Sequence, residues 1–296
     1  MMPLPAGVEL EPLLAALKNL SWQAADILLA YARKPMELSV DKGGEGPVTA
    51  ADLAVNKLLL DGLNSAFPAA PWALLSEETA AEQGSQIVES NEWLWILDPL
   101  DGTKDFIQGT GEYAVHLALV HQQRPVLGVV LLPEKQELWF GLLLDENCSA
   151  WCENRAGIKQ QVQFSKRKEL AELVLVASRN HRDQRLEQLL QQLEIGRSLT
   201  VGSVGCKVAA ILRGDADIYV SLSAKSAPKH WDMAAPEAVL LAAGGGFSHA
   251  DGKPLTYTSS SFLQAGCLIA SHGISHPLLC ERVTNAMASI DPGFQV

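Results

Sequence analysis

The spacing of hydrophobic positions changes along the chain. Leucine and alanine recur at three- and four-residue intervals over residues 9–33 and 52–67, which predicts two amphipathic helices. Short apolar runs follow at 72–75, 93–97, 113–121, 126–132 and 137–144. Their lengths predict strands. A loop at Arg124 and Pro125 favours antiparallel pairing of the strands on either side of it.

From about residue 165 the chain alternates between strand and helix patterns. The predicted strands are 173–177, 198–201 and 217–222, and the predicted helices are 183–193, 205–212 and 233–243. Such alternation is typical of βαβ units in which helices layer against a sheet. We therefore predict an N-terminal α+β half, residues 1–150, and a C-terminal α/β half, residues 151–296, within one compact unit.

Composition narrows the class of protein. With 48% hydrophobic residues and a mean hydropathy of +0.08, the chain can bury a full core. The net charge of −11 argues against a nucleic-acid or anionic-membrane partner, but it is compatible with a small anionic substrate held through bound cations. No apolar run is long enough to span a membrane, the N-terminal residues carry no basic targeting segment, and the five cysteines form no CxxC pair. These features predict a cytoplasmic protein.

The segment WLWILDPLDGTKDF, residues 93–106, carries the strongest chemical signal. An apolar strand runs directly into Asp98 and Asp101, with the Leu100 carbonyl between them. Carboxylates at the end of a buried strand cost free energy unless positive charge compensates them. Because every candidate ligand is an oxygen, the pattern favours Mg²⁺. The amides of Gly102 and Thr103 follow in a turn that suits an anionic oxygen.

Three further motifs place acids at the ends of predicted elements. Asp52 ends VTAAD at a helix start, Glu77 and Glu78 follow an apolar run in LLSEET, and Asp232 lies in KHWDMAAPE. Taken singly, Asp52 and Asp232 also suit helix N-caps, and Glu77 suits a surface charge. Taken together, acids at several strand and helix ends are what a site for more than one magnesium ion requires.

In this order and spacing, VTAAD, SEE, DPLDGT and WDMAA resemble the inositol monophosphatase superfamily of magnesium-dependent, lithium-sensitive phosphatases. The resemblance implies an αβαβα layered sandwich that binds two or three Mg²⁺ ions. The ligands that it implies are Glu77, Asp98, the Leu100 carbonyl, Asp101 and Asp232. It further implies that Asp98 bridges two ions and that Asp52, Thr103 and Glu77 are catalytic. Thr103, hydrogen-bonded to Asp52, would orient and deprotonate the attacking water.

Other segments resemble the 3'(2'),5'-bisphosphate nucleotidases, which hydrolyse adenosine 3',5'-bisphosphate to AMP. These segments are VASRNHRD, GSVGCK and GGGFSHADGKPLTY. The resemblance implies that His181, Ser203 and Lys207 contact the adenylate, while Gly102 and Thr103 contact the phosphate. Lys225 occupies the position at which inositol monophosphatases carry an acidic residue, and a cation there suits a second phosphate. Lys229 is an alternative source of that charge.

The expected partner is a small phosphorylated substrate, with no nucleic acid and no membrane, bound to a monomer or homodimer. An inositol monophosphatase or a sugar phosphatase, such as a fructose 1,6-bisphosphatase, remains an alternative on the same scaffold. A nucleotide-binding sensor without turnover is the alternative from another class of protein.

Overall fold

The computed structural model describes residues 4–33, 40–41, 47–84, 86–144, 148–179, 184–223, 227–258 and 261–293. The helices in these ranges are α1 Leu10–Ala32, α2 Ala50–Ala66, α3 Glu77–Gln83, α4 Gln86–Glu89, α5 Thr103–Gln108, α6 Gln184–Gln192, α7 Val204–Leu212, α8 His230–Ala242 and α9 His276–Ile290. The strands are β1 Val40–Asp41, β2 Pro47–Val48, β3 Ala73–Ser76, β4 Trp93–Asp101, β5 Ala114–His121, β6 Arg124–Leu132, β7 Glu137–Leu142, β8 Ser149–Glu153, β9 Lys159–Gln161, β10 Val174–Ser178, β11 Arg197–Val201, β12 Ile218–Ser223, β13 Gly246–His249 and β14 Gly266–Ser271.

Seven strands form the first sheet, in the order β3-β4-β5-β6-β7-β8-β9. Strand β3 runs parallel to β4, and the remaining neighbours are antiparallel. Helices α1 and α2 cover one face of this sheet. Helix α8 covers the other face and approaches it closely, since a Cβ at Gly128 would lie 2.6 Å from the Ala235 carbonyl oxygen and one at Gly141 would lie 2.5 Å from the Val239 Cα. Glycine at these two strand positions therefore allows α8 to pack directly on the sheet.

The second sheet has the order β11-β10-β12-β14-β13. Strand β10 is parallel to β11 and β12, as the predicted βαβ units require, whereas β14 is antiparallel to β12 and β13. Helices α7 and α8 lie between the two sheets, and α6 and α9 pack on the outer face of the second. The layers are thus helix, sheet, helix, sheet, helix, which confirms the predicted αβαβα sandwich. None of the helices in the described ranges is both long and apolar enough to cross a membrane.

Several local predictions require correction. Strands β5 and β6 pair antiparallel as predicted, but the turn lies at Gln122 and Gln123, both at positive φ (47° and 67°), because Arg124 and Pro125 already belong to β6. Strand β4 continues to Asp101, beyond the apolar run that predicted it. Strands β8, β9, β13 and β14 and helix α9 had no predicted counterpart. In β9 all three side chains are exposed, so no hydrophobic pattern marks that strand.

A buried ionic network fastens the β5–β6 hairpin to α8. Glu237 of α8 is fully buried, and its carboxylate accepts hydrogen bonds from Arg124 Nη2 at 3.0 Å and from the Tyr257 hydroxyl at 2.6 Å. The Tyr257 amide in turn donates to the Gln123 carbonyl at the hairpin turn. Burial raises the pKa of Glu237 to about 7, although both partners oppose that shift. The network therefore depends on Arg124 whenever Glu237 is ionised.

Replacing Arg124 by Met should lower the free energy of unfolding by about 3 kcal/mol at about pH 8, because the Glu237 carboxylate loses its cationic partner. This loss is at the lower end of the range expected when one partner of a buried ion pair is removed, because the Arg124 side chain is 34% exposed. The double variant Arg124→Met/Glu237→Gln should recover more than half of this loss, since it removes the charge that was left uncompensated. Urea denaturation measures both variants. Additive losses in the double variant would contradict the coupling.

Candidate metal centre

Carboxylates from two distant segments meet at one place. Asp98 and Asp101 lie in the last residues of β4, and Asp232 lies in the first turn of α8. One carboxylate oxygen from each lies within 4.8 Å of the corresponding oxygens of the other two. The convergence follows from the packing of α8 against β4 and its neighbours in the first sheet.

Glu77 joins this cluster from the neighbouring strand. It begins α3 directly after β3, and β3 pairs in parallel with β4 so that Ser76 lies opposite Leu97. Burial raises the pKa of Glu77 to about 8, and the negative charges of Asp232, Glu78 and Asp52 add to the effect. Glu77 thus lies close enough to Asp98 and Asp232 to interact with their charges, and together with Asp101 these acids are the four side chains that the resemblance implies as metal ligands.

Burial and mutual repulsion outweigh the positive charge that Lys229 and Lys207 bring near the cluster. Burial raises the pKa of Asp98 well above its ordinary value, with Glu77, Asp101 and Asp232 adding repulsion, and burial raises that of Asp232 to about 7. Asp98 Oδ1 accepts the Leu100 amide at 2.9 Å, but Asp98 Oδ2 is buried without a hydrogen-bond partner in the described chain. A buried carboxylate oxygen with no donor is costly. A divalent cation would supply the missing charge, and an all-oxygen ligand set suits Mg²⁺. The residues present therefore fit the metal that the resemblance implies.

The turn after Asp101 requires glycine. Gly102 has φ +91°, a conformation that L-residues with a Cβ rarely adopt, and a Cβ there would lie 3.1 Å from both the Glu112 carbonyl oxygen and the Ser203 Cβ. The pairing register between β4 and β5 shifts between Asp98 and Asp101, as at a β-bulge. These two features end the strand and start α5 at Thr103 next to the acids.

Asp101 is held by the start of α7. Its Oδ2 accepts the amides of Val204 at 2.6 Å and Gly205 at 3.2 Å, and the Nε2 of the buried His116 lies 3.4 Å away. Free amides at a helix N-terminus stabilise a carboxylate. One oxygen of Asp101 is therefore committed to the protein, which leaves the other for the cluster.

Asp52 and Asp232 have equivalent positions in their helices. Neither is the N-cap residue, because α2 begins at Ala50 after Thr49 and α8 begins at His230 after Lys229. Asp52 Oδ2 accepts the Thr49 amide at 2.8 Å, and Asp232 Oδ2 accepts the Lys229 amide at 2.5 Å. The N-cap interpretation is thus wrong for both acids, and the same contact orients each of them.

Asp52 also faces Thr103. Its Oδ1 lies 3.4 Å from the Thr103 hydroxyl, which in turn lies 3.1 Å from the Leu100 carbonyl oxygen. Burial raises the pKa of Asp52 to about 6. Asp52 and Thr103, which belong to distant segments, are therefore adjacent, as the resemblance implies.

Only some of the residues that the resemblance implies as substrate contacts lie in the described part of the chain. Ser203 is buried and caps α7 by accepting the Cys206 amide at 2.9 Å. Lys207 is buried too, with Nζ 2.5 Å from the Gly202 carbonyl oxygen and 5.3 Å from the centre of the Tyr219 ring. Gly102 and Thr103 lie at the cluster, whereas His181 and Lys225 lie outside the described residues. The four nucleotide contacts remain predictions.

Sequence reasoning missed a polar network beside the site. Arg179 donates to Asp105 Oδ1 at 2.6 Å and to Glu112 Oε2 at 2.7 Å. Glu112 also accepts the Gly202 amide at 2.9 Å through its carboxylate and the Ser203 amide at 3.2 Å through its carbonyl. This network joins α5 and the segment before β5 to the end of β10 and to the turn before α7. No local pattern marks these residues, because their partners are distant in sequence.

Comparison with known proteins identifies the family. The model of the inositol monophosphatase family matches residues 9–288. The 3'(2'),5'-bisphosphate nucleotidase CysQ of Escherichia coli (strain K12) is 36% identical over 234 residues, which cover 79% of this chain and 88% of that protein. The chain therefore belongs to the inositol monophosphatase family, as its motifs predict, and is a phosphatase similar to the bisphosphate nucleotidases.

Solved structures agree with this assignment. The structure of CysQ from Bacteroides thetaiotaomicron has a TM-score of 0.72 at 26% identity and covers 87% of this chain and 97% of its own. That of the IMPase from Thermotoga maritima has a TM-score of 0.75 at 22% identity and covers 94% of this chain and 98% of its own. The second likeness concerns the fold alone.

The acid cluster should make stability depend on pH and on Mg²⁺ together. Glu77 and Asp232 have higher pKa values in the folded chain, about 8 and about 7, than their ordinary values of 4.5 and 3.8. The unfolded chain releases these protons first, so the metal-free protein should lose stability as pH rises from about 4 to about 8. Mg²⁺ should bind the ionised cluster and restore stability mainly at high pH.

Thermal melts of protein treated with EDTA, with and without Mg²⁺, measure this effect. At about pH 8 and ~100 times its dissociation constant, Mg²⁺ should add ~2.7 kcal/mol, whereas at about pH 5 it should add little. Equal stabilisation by Mg²⁺ at both pH values would contradict the assignment of the cluster as the cation site.

Proposed function

We propose that the protein is a magnesium-dependent phosphomonoesterase that hydrolyses adenosine 3',5'-bisphosphate to AMP and phosphate. The observation that carries the proposal is the convergence of Asp98, Asp101 and Asp232, together with a buried Asp98 oxygen that has no hydrogen-bond partner among the described residues. The substrate is inferred from the curated relatives at 36% identity, which are named 3'(2'),5'-bisphosphate nucleotidases.

The residues that would hold the cations are Glu77, Asp98, the Leu100 carbonyl, Asp101 and Asp232. When bound, Mg²⁺ lowers the pKa of water and neutralises charge on the phosphate and its leaving oxygen. With a net charge of −11, the chain itself repels anions at long range. Attraction of a phosphorylated substrate to this acidic site therefore depends on cations.

In this proposal Thr103 and Asp52 take the proton from the attacking water, and their adjacency supports that role. The Thr103 hydroxyl has one hydrogen and two acceptors within reach, the Leu100 carbonyl and Asp52 Oδ1. If the Leu100 carbonyl serves as a cation ligand, the Thr103 hydroxyl would donate its hydrogen to Asp52 and keep its lone pairs for the water. Burial holds the pKa of Asp52 at about 6, which suits a proton acceptor near neutral pH. The distance of 3.4 Å is compatible with a contact that tightens when substrate binds.

A second phosphate requires protein cations away from the acid cluster. His181 and Lys225 are the candidates outside the described residues, and Lys229 lies beside the cluster, with Nζ 5.1 Å from the centre of the Trp231 ring. Lys207 is turned inward towards the Gly202 carbonyl, so in this structure it supports the turn that carries Ser203. An inositol or sugar phosphatase remains the alternative on this scaffold. A sensor without turnover is disfavoured by the adjacency of Asp52 and Thr103.

Hydrolysis assays with Mg²⁺ test the proposed substrate. Adenosine 3',5'-bisphosphate, inositol 1-phosphate and fructose 1,6-bisphosphate are compared at equal enzyme concentration through phosphate release. We expect kcat/KM for the bisphosphate nucleotide to exceed the other two by at least about tenfold, equal to ~1.4 kcal/mol. A preference for either of the others would assign the alternative substrate class, and no release from any substrate would favour the sensor.

Asp98→Asn should reduce kcat at least about 100-fold, or ~2.7 kcal/mol, because the amide has a similar size but no charge to hold a cation. Folding should survive, since an amide oxygen still accepts from the Leu100 amide. Asp217→Asn is the matched control, because Asp217 is equally buried but bonds to Arg167 and the Val174 amide instead. If Asp98→Asn keeps more than about a tenth of wild-type kcat, the cation assignment is wrong.

A further inference from the structure

A buried histidine lies behind the acid cluster. His116 is fully buried in β5, and in the pairing of β4 with β5 it lies directly opposite Asp98. Its Nδ1 is 3.2 Å from the Trp231 carbonyl oxygen, and its Nε2 is 3.4 Å from Asp101 Oδ2. A carbonyl oxygen can only accept, so Nδ1 carries the hydrogen. One imidazole therefore contacts both β4 and the residue preceding Asp232.

The space around this ring is closed on the side of α7. A Cβ at Gly205 would lie 2.4 Å from His116 Nε2, and the Gly205 amide donates to the same Asp101 oxygen that the ring touches. On β6, Val130 is the cross-strand partner of His116. The imidazole thus fills the junction of β4, α7 and α8, which are the elements that carry or hold Asp98, Asp101 and Asp232.

Burial of an imidazole at this position costs free energy. The neighbouring positions 114–120 of β5 are otherwise apolar and buried, and burial lowers the pKa of His116. A buried polar ring costs free energy unless its contacts compensate. Packing alone does not call for a polar ring here. Nδ1 hydrogen-bonds to the Trp231 carbonyl, whereas Nε2 has no hydrogen-bond partner among the described residues and lies 3.4 Å from Asp101 Oδ2.

We infer that His116 is a positioning residue for the cation site, which fixes the Asp101 carboxylate relative to the turn of α8 that carries Asp232. Its Nδ1–H anchors the first turn of α8 through the Trp231 carbonyl, and the Nε2 edge of the ring restricts rotation of the Asp101 carboxylate. Groups that orient metal ligands typically change metal affinity 10- to 100-fold when they are removed. This inference rests on the proposed cation site.

The test measures the Mn²⁺ dissociation constant of folded protein by electron paramagnetic resonance, without substrate. His116→Leu removes both polar contacts, and His116→Asn keeps an amide that can donate to the Trp231 carbonyl but is too short to contact Asp101. Val130→Ala is the matched control, because it removes buried apolar atoms beside the ring and leaves both contacts in place. Circular dichroism verifies that each variant is folded.

We expect Mn²⁺ binding to weaken 10- to 100-fold in His116→Leu, to weaken about three- to tenfold in His116→Asn, and to stay within about twofold in Val130→Ala. If His116→Leu does not fold, His116→Asn decides alone. Wild-type affinity in the folded His116 variants, or an equal loss in Val130→Ala, would overturn the positioning role. Absence of Mn²⁺ binding to the wild type would instead refute the proposed cation site, so the two failures are distinguishable.

Discussion

Mutual repulsion among buried carboxylates is the constraint on which this structure depends. Asp52, Asp98, Asp101 and Asp232 each commit one oxygen to backbone amides, from a helix N-terminus or from the adjacent turn. These bonds fix the rotation of each carboxylate and offset part of its burial cost. They do not neutralise the cluster, as the raised pKa values of Asp98 and Asp232 show. The fold therefore holds the acids in a geometry that a bound cation would stabilise.

The layered architecture supports that geometry through close packing. Helix α8 is buried between the two sheets and packs directly on the first, because Gly128 and Gly141 leave no side chain in the way. The N-terminus of α7 reaches Asp101 from the same middle layer. Substrate contacts implied for α7, such as Ser203, are thus connected through one helix turn to a proposed metal ligand. The proposed substrate contacts and the proposed metal ligands therefore share one scaffold.

Sequence patterns predicted the parts of this arrangement that are local. The apolar run into Asp98 and Asp101 predicted a strand that ends in acids, and the strand–helix alternation predicted the second sheet's parallel pairs. Contacts between distant segments left no such pattern. His116 appears in the sequence only as one polar residue in an apolar strand, and the partners of Arg179 are 74 and 67 residues away. The orientation of the Lys207 side chain was likewise not predictable from the sequence, because packing against the Tyr219 ring sets it.

The central claim is that acids of β4 and α8 together bind divalent cations. Anomalous diffraction from crystals grown with Mn²⁺ tests it most directly, since the signal locates the ion without reference to activity. We predict a peak within about 2.3 Å of carboxylate oxygens of both Asp98 and Asp232, the range of metal–oxygen bonds for such ions. Ordered Mn²⁺ bound elsewhere, with these two carboxylates free of it, would contradict the account.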